Sequence, residues 1–480
     1  MPLTVTTGIG TVQNSGGSGS TITFGGTITK ANTILTFTGS GNFIISGLIT
    51  GGTTLNFNSD LNVVGTTVTL TNANNDYTGP TNVSGGGTLI DGVTNAIPTG
   101  SVATLGSSGD GAVTNTLDLD GFDQALASLN STSNGDGTNS NRVTNSALGT
   151  GTNTLTLSGV NSASAAVSSS FAGILQDGST ARIGLQITGG MHTLSGANSF
   201  SGGTTLSGGT LVAGNNSAVG NTGAQAVTFN GGKLASDNDA RSLANNIVVN
   251  VAGNQITGAN SVTLTGTASG PGTLEVALTN AAKSVTVTPA SANSFAPDML
   301  RLTSGTLLLG GANKIGDSTA VNFNGGTLNT GGFSDTVGAL TLTANSVLDF
   351  GTTNNVHLQF SSAAWTAGAL TVNNWTGTAF ATGNPDRFLV ASAGPLDSSF
   401  VAQISFTGHG TGAVAYSVGG GLYEIVAVPE PTTVLGAVGL LAFLAYRERR
   451  RVRRLWSLHV APPLILLGFL LVAFVTKDTD

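Results

Sequence analysis

Through most of the chain, apolar residues alternate with Thr, Ser or Asn over four or five positions and then stop at a Gly- or Asn-rich cluster. Ser261-Val-Thr-Leu-Thr265, Asn153-Thr-Leu-Thr-Leu157 and Ser284-Val-Thr-Val-Thr288 are typical. Alternation with period two places one side of a segment in a core and the other in water. With β-branched residues in the run and Gly or Asn at its ends, the pattern predicts short strands joined by tight turns. No amphipathic helical period is sustained before residue 428. Only two apolar runs lack alternation, Thr432–Tyr446 and Leu464–Val475, and both lie at the C-terminal end.

The strands recur in a fixed order. Ala197–Gly220 (ANSFSGGTTLSGGTLVAGNNSAVG) is followed by AVTFNGGKLAS, and Ala292–Gly316 (ANSFAPDMLRLTSGTLLLGGANKIG) by AVNFNGGTLNTGGF. A looser copy runs over Asn75–Gly100, with TLDLDGFDQALASL behind it. Each copy has an aromatic residue (Tyr77, Phe200, Phe295), a short strand, a Gly-rich turn and the triplet Gly-Thr-Leu. Self-similarity at this period predicts a solenoid in which each unit buries its apolar side only against its neighbours. Leu89, Leu211 and Leu307 are then the inward-facing residues, and Gly supplies the corners that need positive φ. At roughly 20–25 residues per coil, residues 20–425 would make some 16–20 coils.

The wording FSGGTTLSGGTL…GN…VTFNGG over Phe200–Leu234 resembles the autotransporter-associated β-strand repeat family. The resemblance covers most of residues 60–345, closest in the middle copy. It implies an all-β fold, a right-handed parallel β-helix of the kind found in bacterial surface passengers, over residues 1–345. The clearest copies lie at about 75–130, 197–236 and 292–345.

After Phe350 the wording changes, and residues 346–427 resemble the terminal β module that precedes a PEP-CTERM sorting signal. Trp365 and Trp375 are large rings placed to cap the open end of a solenoid, with ligand platforms as the alternative. Val428-Pro429-Glu430-Pro431 follows, then the apolar run 432–446, then Arg447, Arg449, Arg450, Arg451, Arg453 and Arg454. The proline pair makes an extended stem. Fifteen apolar residues in a helix reach about 22 Å, short for a hydrocarbon core of roughly 30 Å, and the arginines hold the following end on the cytoplasmic side. This three-part order over 428–454 resembles the PEP-CTERM domain. It implies export, a C-terminal transmembrane helix over 432–446, and an exosortase-type membrane transpeptidase as partner. Residues 455–480 form an extra apolar tail, a candidate second membrane segment. The first residues, MPLTVTTGIGTVQNSGG, carry neither the basic nor the apolar region of a signal peptide, so the expectation of export comes from the C-terminal end.

Composition narrows the functional classes. Of 480 residues 71 are Gly, only 8% are charged and 39% are apolar, which disfavours both disorder and a helical enzyme. Cysteine is absent, excluding disulfides, zinc thiolates and a thiol nucleophile. The net charge is −7, and six of the 16 basic residues lie between Arg447 and Arg454. A body so sparing of basic residues gives no support to nucleic-acid binding.

Candidate chemistry is thin. His192, His357, His409 and His459 stand in unrelated contexts without metal-ligand spacing. No serine has a Gly-x-Ser-x-Gly elbow, and no Gly-rich loop carries the Lys-Ser/Thr of a phosphate site. Asp118, Asp120 and Asp123 in LDLDGFDQ loosely resemble the alternating carboxylates of a calcium loop, but the spacing fails and a solvated turn is the expected reading. The sequence therefore points to a non-enzymatic, exported surface or extracellular-matrix protein without cofactors, structural or adhesive. It would be membrane-anchored by its C-terminus before processing, and then held at the cell envelope or matrix. A β-helix that binds or degrades an extracellular polysaccharide is the alternative.

Overall fold

The computed structural model describes residues 2–446 except 7, 31–32, 52–59, 134–139, 222–225, 354, 411 and 429–439. Its strands stack in parallel, each on the strand one coil earlier, into a right-handed solenoid of about 15 turns. One face is carried by a six-stranded sheet and then a 13-stranded one, a second by a seven-stranded and then an eight-stranded sheet, and a third by sheets of three and seven. Within the solenoid body, the described residues include one short α-helix, Ser398–Val401.

Alternation does what it predicts. In Thr88–Asp91, Thr210–Ala213 and Thr306–Leu309, the second and fourth positions are buried and the others half-buried. Leu89, Leu211 and Leu307 are all at most 1% exposed. They meet their counterparts in register: Leu89 pairs with Val68 and Leu117, Leu211 with His192 and Leu234, and Leu307 with Val285 and Leu328. Each such leucine contributes about 1.5–3 kcal/mol by leaving water. Tyr77, Phe200 and Phe295 are buried too, and Phe295 bridges Ala268 below and Ile315 above. The glycine that opens the triplet is required. Gly209 has φ +59°, and a side chain there would strike the Gly189 backbone.

The coil count falls just below the expected 16–20 because coil length is not constant. Leu307, Leu328 and Leu348 follow one another after 21 and 20 residues. Thr156 and Gln186, also ladder neighbours, are 30 apart. The extra residues loop out at the corners, so fewer coils use the same length of chain.

The ladder passes position 345 without interruption, because Ser346–Asp349 pairs with Thr327–Asn329 on one side and Leu370–Asn373 on the other. Parallel pairing continues to Ile404–Phe406, and only then does an antiparallel hairpin, Gly412–Gly419 with Leu422–Val428, close the sheet. A membrane-spanning helix was expected over 432–446, more than half of which lies outside the described residues. Among the described residues no helix is long and apolar enough to cross a membrane. Residues 440–446 are helical, with Leu440, Leu441, Phe443 and Leu444 exposed, whereas 432–439 lie outside the described residues.

Candidate functional site

Parallel stacking brings together side chains that are far apart in sequence. Ser169, in Ser168–Phe171, is the register partner of His192, in Met191–Leu194. Both point into the coil, at 6% and 0% exposure. The Ser169 hydroxyl lies 2.7 Å from His192 Nδ1, and Nε2 lies 2.9 Å from the Gly189 carbonyl oxygen. A carbonyl only accepts, so Nε2 carries the proton and Nδ1 accepts from the serine. Burial holds the imidazole pKa below its usual value, although the Gly189 contact opposes this, and keeps the ring neutral. A serine donating to a neutral imidazole is the pairing used in nucleophilic catalysis. Here it faces the packed interior, where its clear role is to satisfy two polar groups. Sequence reasoning missed this pair. The available signal was their separation of 23 residues, one coil length.

Of the three acidic residues of LDLDGFDQ, Asp118 and Asp123 are taken up by backbone amides and Asp120 accepts from the Ser146 hydroxyl. Asp118 Oδ1 accepts from the amides of Asp120 (3.0 Å) and Ser146 (2.8 Å), and Asp123 Oδ1 accepts from the amide of Thr154 (2.7 Å). Asp120 takes the turn position at φ 41°. Burial and then the nearby Asp118 raise its pKa. Among the described residues no group of three His, Cys, Asp or Glu side chains is placed to hold a metal ion. One coil earlier, and unforeseen, Asp91 points inward beside Leu70, fully buried and with neither oxygen hydrogen-bonded. Its carboxyl is pushed well above the usual range, first by burial and then by Asp118 and Asp120.

A second interior polar set lies below it. Lys30 is completely buried, with its ammonium 4.8 Å from the centre of the Tyr77 ring. Burial lowers its pKa to about 7, against the opposing pull of Asp60. The Tyr77 hydroxyl bonds Thr81 at 2.9 Å, and Thr81 bonds Ser101 at 3.0 Å.

At the C-terminal end, Trp375 is 5% exposed. It donates to the Asp386 carbonyl at 2.8 Å, and its ring lies 4.7 Å from Phe406 and 5.1 Å from His409. Trp365 is half-buried and donates to the Gly368 carbonyl. Both indoles are thus satisfied by the protein. The closing hairpin is locked by Glu424, buried at 0% exposure, which pairs with Arg387 at 3.0 Å and accepts from the Gly383 amide at 2.8 Å. Val428 ends the last strand opposite Gly412. Pro429, Glu430, Pro431, the arginine cluster 447–454 and His459 lie outside the described residues, and His357 is exposed at the start of its strand.

The family model of the passenger-associated-transport-repeat matches residues 65–90 and 189–213. Each match covers one coil and ends on a Gly-Thr-Leu strand, Thr88–Asp91 in the first and Thr210–Ala213 in the second. No curated protein matches the chain, and no solved structure does.

Proposed function

We propose that this is an exported, non-enzymatic repeat protein that serves as a structural or adhesive stalk at the cell surface or in the extracellular matrix. The observation that carries the reading is the match to a passenger-associated repeat on two coils of one parallel solenoid. Such a rod presents Thr, Ser and Asn at regular heights, so many weak contacts add along its length.

Delivery is proposed to run through the C-terminal segment. Val428-Pro429-Glu430-Pro431, the apolar run 432–446 and the arginines from Arg447 to Arg454 have the order of a PEP-CTERM signal, to be read by an exosortase-type membrane transpeptidase. In support, the last strand of the closing hairpin ends at Val428, the first residue of the motif. The apolar side chains of 440–446 stand exposed, as a segment bound for a membrane requires. Mass spectrometry of the mature C-terminus in the native host tests this. A new terminus near residue 430 is expected, lost when Pro429, Glu430 and Pro431 are replaced by alanine. Recovery of intact Asp480 from the surface protein would reject processing.

A further inference from the structure

On the second face of the solenoid, Thr88, Thr116 and Arg142 lie in register on successive coils, and Asp118 and Thr144 form a parallel column two residues further along. These are outward positions, since the residues between them, Leu89, Leu117 and Val143, face the core. Yet Thr116, Asp118 and Thr144 are only 3%, 6% and 9% exposed. They form the floor of a groove of about 390 Å³, walled by Ser146 and by residues 176–179. That volume is within the roughly 300–1,000 Å³ range of small-molecule sites.

The groove is held rigid. Arg142 reaches back one coil and donates from Nε to the Thr116 hydroxyl at 3.1 Å. Asp177, in the wall, accepts from the amides of Ile183 (2.8 Å) and Ser201 (3.1 Å) and from the Ser201 hydroxyl (2.6 Å). Gly178 packs so closely on the Asn145 carbonyl that no side chain would fit. Two groups remain without a protein partner among the described residues: the terminal nitrogens of Arg142, and Asp118 Oδ2. The Arg142 side chain is itself exposed. A planar guanidinium with two free nitrogens matches a carboxylate. The Asp118 oxygen beside it is an acceptor, so it matches hydroxyl donors. Threonine and serine hydroxyls and the Gln176 amide complete the lining, on coils about 4.8 Å apart.

We propose that this groove binds a uronic acid unit of an acidic polysaccharide, with the sugar carboxylate on Arg142 and neighbouring sugar hydroxyls on Asp118 and the threonines. The proposal builds on the surface role given above and supplies it with a ligand class. A neutral glycan would leave the guanidinium unmatched, and a densely charged polyanion would meet both Asp118 and Asp177.

Isothermal titration of the full chain with trigalacturonate, and with maltotriose as the uncharged control, tests it. Trigalacturonate is expected to bind and maltotriose not. Arg142→Gln should weaken binding at least tenfold without changing the unfolding temperature by more than a few degrees, since Arg142 makes a single internal bond. Arg301→Gln, on another face, should bind as the parent does. No binding of trigalacturonate at millimolar concentration overturns the proposal. So does equal binding of maltotriose, an unchanged Arg142→Gln, or an equal loss in Arg301→Gln. The titration uses purified protein, so its failure leaves the sorting reading intact, and a failure of sorting leaves the groove intact.

Discussion

The coils over residues 284–373 and those over residues 81–194 use the same strands and differ in what fills them. In the first set one inward column reads Val285, Leu307, Leu328, Leu348 and Val372, every member at most 1% exposed. Coil length there stays near 20 residues as far as Leu348. In the second set coils lengthen, the step from Arg142 to Ile174 taking 32 residues, and polar groups enter the interior. Asp91 lies unpartnered, Asn115 bonds Asn141 at 2.9 Å, and Ser169 bonds His192. The outer groove with Arg142 belongs to this same wide stretch. A coil touches only its neighbours, so irregularity in one stretch does not propagate to the next. The narrow coils supply stability, and the wide ones have room for chemistry.

The sharpest way to break this comparison is to put a charge in the regular column. Leu307→Asp would bury an unpaired carboxylate and is expected to cost several kcal/mol. The damage should be local, seen as new proteolytic cleavage near residue 307 while the wide coils stay protected. Protease resistance equal to the parent would mean that the column is not a stability element.

A smaller effect separates the two regions by pH. Asp335, in the narrow set, is 1% exposed; burial raises its pKa to about 6, even though its Oδ2 accepts from the Lys314 and Ile315 amides at 2.9 and 3.1 Å. A carboxyl raised from 3.8 binds its proton more tightly when folded, so its stabilising effect is full below about pH 4 and is lost as pH rises to about 6. Asp335→Asn should remove that slope from urea midpoints measured between pH 4 and 6. Asp91 is shifted in the same direction with no hydrogen bond to oppose it, so Asp91→Asn should likewise flatten the loss of stability as pH rises. A parent whose stability is level from pH 4 to 7 would refute both assignments.

The smallest expected change concerns the buried serine–histidine pair. Ser169→Ala leaves His192 Nδ1 without its donor and should cost about 1–3 kcal/mol. The double variant Ser169→Ala with His192→Leu should recover part of that loss, because the imidazole is no longer left unpaired and only the Gly189 carbonyl loses a donor. A single variant as stable as the parent would show that water replaces the hydroxyl, and that the wide coils are less tightly closed than the narrow ones.

Strands, turns, the core leucines of the Gly-Thr-Leu triplets and the solenoid itself were all determined by the sequence alone, because alternation and repetition are properties of a few adjacent residues. Tyr77, Phe200 and Phe295 were legible for the same reason. Coil length was not, since it is set by how far each corner loops out, and no local pattern measures that. A register error of one or two residues changes every cross-coil partner. The meeting of Ser169 with His192, the reach of Arg142 to Thr116 and the isolation of Asp91 beside Leu70 were therefore decided only by the tertiary structure. The acidic run at Asp118–Asp123 looked in sequence like one cluster. Stacking set Asp118 and Asp123 against backbone amides of the next coil, Ser146 and Thr154, and Asp120 against the Ser146 hydroxyl.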